Sequence, residues 1–262
     1  MVGRHEPGAK PRQRVPMRFL VPNLVTLLAL CSGVTSIRLA FEGRFELAVG
    51  AVIVAVILDS LDGRIARLLK GASRFGAELD SLADFVNFGV APAVLLYMWS
   101  LHDLRNLGWV AALALSIACA LRLARFNVMA EDPDRPQFAK NYFTGIPAPA
   151  GAGLAMAPMY LGFLDVIDEP MAAAPYIIPY LLFVAFLMVS QIPTWSGKNL
   201  GGVVSGNKAL VILTITLFTI LLILAYTWQM LTALAGIYLM MLPISMRNYK
   251  RQEMAHRASN GA

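Results

Sequence analysis

The sequence predicts an all-α integral membrane protein with about eight transmembrane helices, and three observations predict it. The 262 residues are 58% hydrophobic and 15% charged, against roughly 45–50% apolar and about 25% charged in a soluble domain. The apolar residues gather into runs of about 20, the length that crosses a hydrocarbon core of roughly 30 Å at 1.5 Å per residue. The bases between those runs fall almost wholly on one side.

The runs cover residues 19–41, 46–66, 79–100, 107–128, 146–164, 174–194, 209–226 and 229–246. With each crossing the bilayer once, nineteen of the 22 Lys and Arg collect on the side of the two termini and the even-numbered connections. Only Arg38, Arg44 and Arg105 sit toward the other side, and the fifth connection carries Asp165, Asp168 and Glu169 with no base. By the positive-inside rule the basic side is cytoplasmic, so a multi-pass protein of the cell's inner membrane is expected, with both termini inside. The net charge of +6 is then a topology signal, and no nucleic-acid partner is expected.

The chain divides into a basic N-terminal tail (1–18), a transmembrane domain (19–246) and a basic C-terminal tail (247–262). The apolar stretch from Phe19 to Ile37 exceeds the roughly 7–15 residues of a cleaved signal, so it is expected to remain as an anchor. Cys31 and Cys119 lie inside apolar runs and read as small buried hydrophobes. The glycine-rich stretch Lys198–Lys208 lacks the Lys-Ser/Thr ending of a phosphate loop and reads as a connection.

The residues that carry chemistry are acidic. Asp59, Asp62, Asp80 and Asp84 fall at the cytoplasmic ends of the second and third runs. A charged Asp at membrane depth costs about 2.5–3.5 kcal/mol on insertion scales, so four of them need compensation. On a helix Asp59 and Asp62 are about 60° apart, and Asp80 and Asp84 about 40°, so each helix offers a carboxylate pair on one face. A short turn between the helices lets the two faces meet, and two Mg²⁺ or Mn²⁺ ions are the natural filling: hard dications prefer oxygen and leave positions for phosphate. Gly63, Ala66 and Arg67 share the face of Asp59, and Gly76 that of Asp80. The small residues leave room for a ligand, and Arg67 brings a planar cation suited to pyrophosphate. An ion-coupled transporter is the competing reading, but it should scatter ionisable residues along a path through the bilayer, and these cluster at one face.

The run Asp-x-x-Asp-Gly-x-x-Ala-Arg, then eight residues, then Gly-x-x-x-Asp-x-x-x-Asp, from Asp59 to Asp84, resembles the signature of the CDP-alcohol phosphotransferases. These membrane enzymes displace CMP from a CDP-linked alcohol. Within the family the resemblance is strongest to the bacterial CDP-diacylglycerol:serine O-phosphatidyltransferases. It rests on Glu78–Asp84 running into Phe88–Pro92, on Leu121–Asn127, on Phe143–Pro149 and, more loosely, on Leu187–Pro193. The resemblance implies that Asp59, Asp62 and Asp80 ligate paired metals, while Asp84 helps hold one metal and acts as general base. It implies that Asp62, Gly63, Ala66, Arg67 and Gly76 contact the CDP moiety, with Asn23 and Thr26 of the N-terminal segment near the nucleotide. CDP-diacylglycerol and L-serine are the implied substrates, with membrane lipids around the chain and a homodimer as the assembly.

The acceptor pocket is read less directly. Arg122, Arg125 and Lys198 are cations on the cytoplasmic side that can bind the lipid phosphate or the serine carboxylate, and equally can be anchors snorkelling to headgroups. Asn87 and Asn127 can hydrogen-bond the acceptor or serve helix packing. The residue types alone leave serine and glycerol 3-phosphate open; choline would instead call for an aromatic cage. His5, His102 and His256 lie in the tails and on the far-side loop, so no phosphohistidine intermediate is expected, and direct in-line displacement is the reading.

Overall fold

The computed structural model describes residues 17–71, 73–130, 142–195, 214, 217–219 and 221–260. Helix α1 (Met17–Phe41) and α2 (Phe45–Leu68) form the first hairpin. Gly43, at φ +73°, closes α1: its N–H donates to Ala40 O and the Arg44 N–H to Leu39 O, a pattern that needs a left-handed residue where Gly43 stands. The third crossing is α3 (Arg74–Asp84), a wide π turn over Phe85–Val90, and α4 (Ala91–Trp99). A short 3₁₀ turn leads into α5 (Arg105–Ala130). Strand β1 (Tyr142–Thr144), α6 (Ala148–Ala155), α7 (Ala157–Gly162), α8 (Pro170–Val189), strand β2 (Pro193–Trp195) and α9 (Thr227–Asn260) follow.

The chain is an all-α membrane protein, as its composition predicts. Five of the described helical segments are long and apolar enough to cross a bilayer: 17–41, 74–99, 101–129, 170–189 and 227–252. Helix α2 is as long, but its second half carries the charged residues Asp59, Asp62, Arg64 and Arg67. The predicted span 146–164 is a correction: two short helices meet at Met156. Pro158 has no N–H to continue the first helix, and its ring would crowd the carbonyl four residues back. The predicted span 209–226 lies largely outside the described residues.

Contacts at the two ends fix the alternation of direction. At one end the Ser100 hydroxyl donates to Pro170 O, and Trp228 packs on Phe163 and Tyr160 with centroids 4.6 and 6.3 Å apart. At the other end β1 pairs antiparallel with β2, Phe143 opposite Thr194, and Tyr249 meets the Tyr142 ring edge-on at 5.2 Å. The α6–α7 pair therefore completes a crossing despite its break. Helix α9 runs on without interruption past residue 246 to Asn260, so no structural break separates the last crossing from the residues read as a tail.

The core lies between α4, α5, α7 and α8, where Leu95, Leu96, Leu115, Met159, Tyr160, Leu181 and Met188 are fully buried. Leu24, Leu28, Ile57, Val110, Ile117 and Phe186 instead point outward, a surface that lipid tails solvate and water does not. The π turn was not legible in the pattern of apolar residues. The Ala91 N–H reaches back to Val86 O, and Pro92 follows at once without a donor. Widening the turn is how a helix passes such a proline without the clash a regular turn would impose.

Candidate active site

The site begins with the five-residue link between α2 and α3. Lys70 adopts a left-handed conformation at φ +49°, which turns the chain, and Gly71 then lies against Arg18 O of α1 so closely that a Cβ would collide with backbone. Ser73 caps α3 by accepting the Gly76 N–H at 3.0 Å. Gly76 in turn faces Asn23, whose Oδ1 would stand 2.8 Å from any added Cβ. Neither Gly71 nor Ser73 stood out in the sequence; the short turn that must join the two aspartate-bearing helices was the available signal.

This turn brings the two carboxylate pairs together. One oxygen from each of Asp59, Asp62 and Asp80 lies within 4.8 Å of the other two. Asp62 is only 4% exposed and accepts a 2.6 Å hydrogen bond from the Thr26 hydroxyl of α1. Asp84, one turn beyond Asp80, faces Asp59, and its Oδ1 is buried without a hydrogen-bond partner. Four carboxylates so placed repel one another unless protons or cations intervene. Three oxygens at this spacing plus an orphaned fourth carboxylate oxygen suit hard divalent cations, which take oxygen donors and satisfy several at once. The acidic cluster can thus hold a divalent metal.

A cavity of about 160 Å³ opens beside the cluster, with Asn23 and Thr26 of α1, Asp62, Gly63 and Ala66 of α2, and Gly76 and Asp80 of α3 in its wall. Six of the seven residues that the resemblance assigns to CDP therefore share one cavity. Arg67 does not line it; it is exposed on the next turn of α2. Thr26 has a further task that the sequence did not disclose, the bond to Asp62.

The acceptor candidates separate. Arg122 is 8% exposed, stacks on the Phe126 ring at 5.1 Å and lies within electrostatic reach of Asp84, Asp59 and Tyr238. Arg125 is tied elsewhere: its Nη1 donates to Val189 O at 2.6 Å and Ser190 O at 3.3 Å, satisfying carbonyls that the end of α8 leaves open. Asn127 Nδ2 donates to Ser81 Oγ at 2.9 Å, tying α5 to α3 between Asp80 and Asp84. Asn87 is wholly buried on the π turn against Gly33 of α1, and neither amide atom has a hydrogen-bond partner. Lys198 lies outside the described residues.

A family model for CDP-alcohol phosphatidyltransferases matches residues 19–195, from the start of α1 to the end of β2. The chain belongs to the CDP-alcohol phosphatidyltransferase family. Relatives carry the name CDP-diacylglycerol–serine O-phosphatidyltransferase. One from Mycobacterium leprae is 48% identical over 145 residues, covering 55% of this chain and 48% of that protein. One from Mycobacterium tuberculosis is 44% identical over 158 residues, 58% of this chain and 55% of that protein. One from Helicobacter pylori is 34% identical over 225 residues, 84% and 88% of the two chains. The matched region thus spans about half the length of the mycobacterial relatives and most of the Helicobacter one. Every element of this family member that shapes the acidic cluster lies inside the matched residues.

Proposed function

We propose that the chain is a CDP-diacylglycerol:serine O-phosphatidyltransferase, carrying phosphatidyl from CDP-diacylglycerol to the L-serine hydroxyl at the cytoplasmic face of the inner membrane. The observation that carries this reading is the convergence of Asp59, Asp62 and Asp80 within 4.8 Å, beside a cavity walled by small residues and next to the buried Arg122. The printed names of the relatives support serine as acceptor.

In this reading Asp59, Asp62, Asp80 and Asp84 hold two Mg²⁺ or Mn²⁺ ions, which when bound neutralise the pyrophosphate and stabilise CMP as leaving group. Asn23, Gly63, Ala66 and Gly76 admit the nucleotide, and Arg67 offers its cation at the exposed side. Arg122 takes the serine carboxylate, since Arg125 is already committed to the end of α8. Asp84 accepts the serine hydroxyl proton as the serine oxygen bonds to the phosphatidyl phosphorus and the pyrophosphate bond to CMP breaks. Resemblance to the family further supports a homodimer, which light scattering on the purified protein measures.

Purified protein given CDP-diacylglycerol, a dication and L-serine is expected to release CMP and form phosphatidylserine. Faster CMP release with glycerol 3-phosphate than with L-serine would overturn the acceptor and leave the family intact. Thr26→Val is expected to weaken metal affinity or activity by about 10–100-fold, because it removes the donor that orients Asp62. Titration of activity against Mg²⁺ or Mn²⁺ reads this out, and an unchanged midpoint and maximum would show that Asp62 does not depend on Thr26.

A further inference from the structure

A second, larger cavity lies between the paired strands β1 and β2 and the stretch of α9 from Tyr238 to Gln252. It measures about 710 Å³, several times the cavity beside the aspartates, and no residue of the aspartate motif lines it. Among the described residues most of its wall comes from α9 between Tyr238 and Gln252, beyond the residues that the family model matches. The wall is graded. Met241, Leu242 and Ile244 make its apolar stretch, and Met241 and Ile244 are 41% and 57% exposed. One to two turns farther along α9 stand Asn248 and Arg251, at the end of the bundle where the bases collect. Arg251 forms no ion pair among the described residues.

An apolar stretch that is exposed at Met241 and Ile244 and leads to a cation without an ion pair among the described residues has the polarity of one phospholipid molecule with a negative headgroup. We propose that this cavity seats an anionic phospholipid, its chain along Met241, Leu242 and Ile244 and its phosphate at Arg251 and Asn248. Charge complementarity selects the occupant: basic pockets between helices on the cytoplasmic side suit anionic headgroups, and one Lys or Arg near such a lipid contributes about 1 kcal/mol. A free amino acid would leave most of the volume and all of the apolar wall unused. The seat is not isolated from the chemistry, since Tyr238 lines its inner end and lies within reach of Arg122, which faces Asp84.

The test is native mass spectrometry of the full chain in detergent with added 1-palmitoyl-2-oleoyl phosphatidylglycerol or the matching phosphatidylcholine. Wild type is expected to retain phosphatidylglycerol about 5-fold better than phosphatidylcholine, the fold-change that 1 kcal/mol supplies. Arg251→Gln should abolish that preference, Arg251→Lys should restore most of it, and Met241→Trp, which fills the trough, should reduce retention of both lipids. Adding EDTA, which empties any metal site at the aspartates, should leave phosphatidylglycerol retention unchanged. Equal retention of the two lipids by wild type, an undiminished preference in Arg251→Gln, or loss of phosphatidylglycerol retention with EDTA would each overturn the proposal. The Arg251 pair carries the test even if Met241→Trp fails to fold.

Discussion

Asp84→Asn is expected to reduce turnover by about 10²–10⁴-fold, the usual worth of a positioned general base. CDP-diacylglycerol binding should stay within a modest factor of wild type. The asymmetry follows from geometry. Asp59, Asp62 and Asp80 form a set whose oxygens lie within 4.8 Å without any help from Asp84. Asp84 stands one turn deeper with an unpaired oxygen, free to take a proton. Asparagine keeps the shape and removes only the basic oxygen. CMP release under saturating substrate, measured beside retention of CDP-diacylglycerol by the purified variant, separates the two effects. Near-wild-type turnover would remove Asp84 from the proton's path, and loss of binding in step with turnover would make it a ligand first.

Chelation is expected to abolish turnover altogether, with Mg²⁺ or Mn²⁺ restoring it, and Asp59→Asn or Asp80→Asn should lower metal affinity and activity together. Three carboxylates at this separation, with Asp62 buried, cannot remain charged side by side without a cation between them. Each substitution removes one charge from a set that a dication needs, so the loss should appear as a shifted metal titration as well as a lower maximum. Full activity in excess EDTA would end the two-metal reading.

Much of this site is legible in the sequence because helical geometry is periodic. Spacings of three and four residues put Asp59 with Asp62, and Asp80 with Asp84, whatever the surrounding packing. Placing Gly63, Ala66 and Gly76 on the same faces used the same arithmetic, and all three line the cavity beside the acidic cluster. What the sequence could not disclose depends on contacts between distant segments. Arg122 and Arg125 are three residues apart and chemically alike, yet one is buried toward Asp84 and the other is taken by carbonyls of α8, 64 residues away. On a regular helix Asn87, seven residues after Asp80, would fall about 20° from it, and the π turn at Phe85–Val90 breaks that regularity. The crossing at 146–164 failed as a single helix for a local reason, Pro158, that the apolar run concealed.

The same wide turn alters what a length change means in this part of the chain. A π turn holds one residue more than the α-helix it interrupts. Deleting a single residue between Phe85 and Val90 would let the third crossing close into a regular helix instead of leaving a gap. Because the wide turn already absorbs that residue, the two halves of the crossing would keep their relative phase, whereas the same deletion from a regular α-helix would re-phase them by about 100°. Asp80 and Asp84 would go on facing α2 while Leu95 and Leu96 kept their place in the core. A one-residue deletion here therefore acts as a local closure, not a rotation. Paired sequences that differ by one residue in this segment should be aligned separately on either side of it.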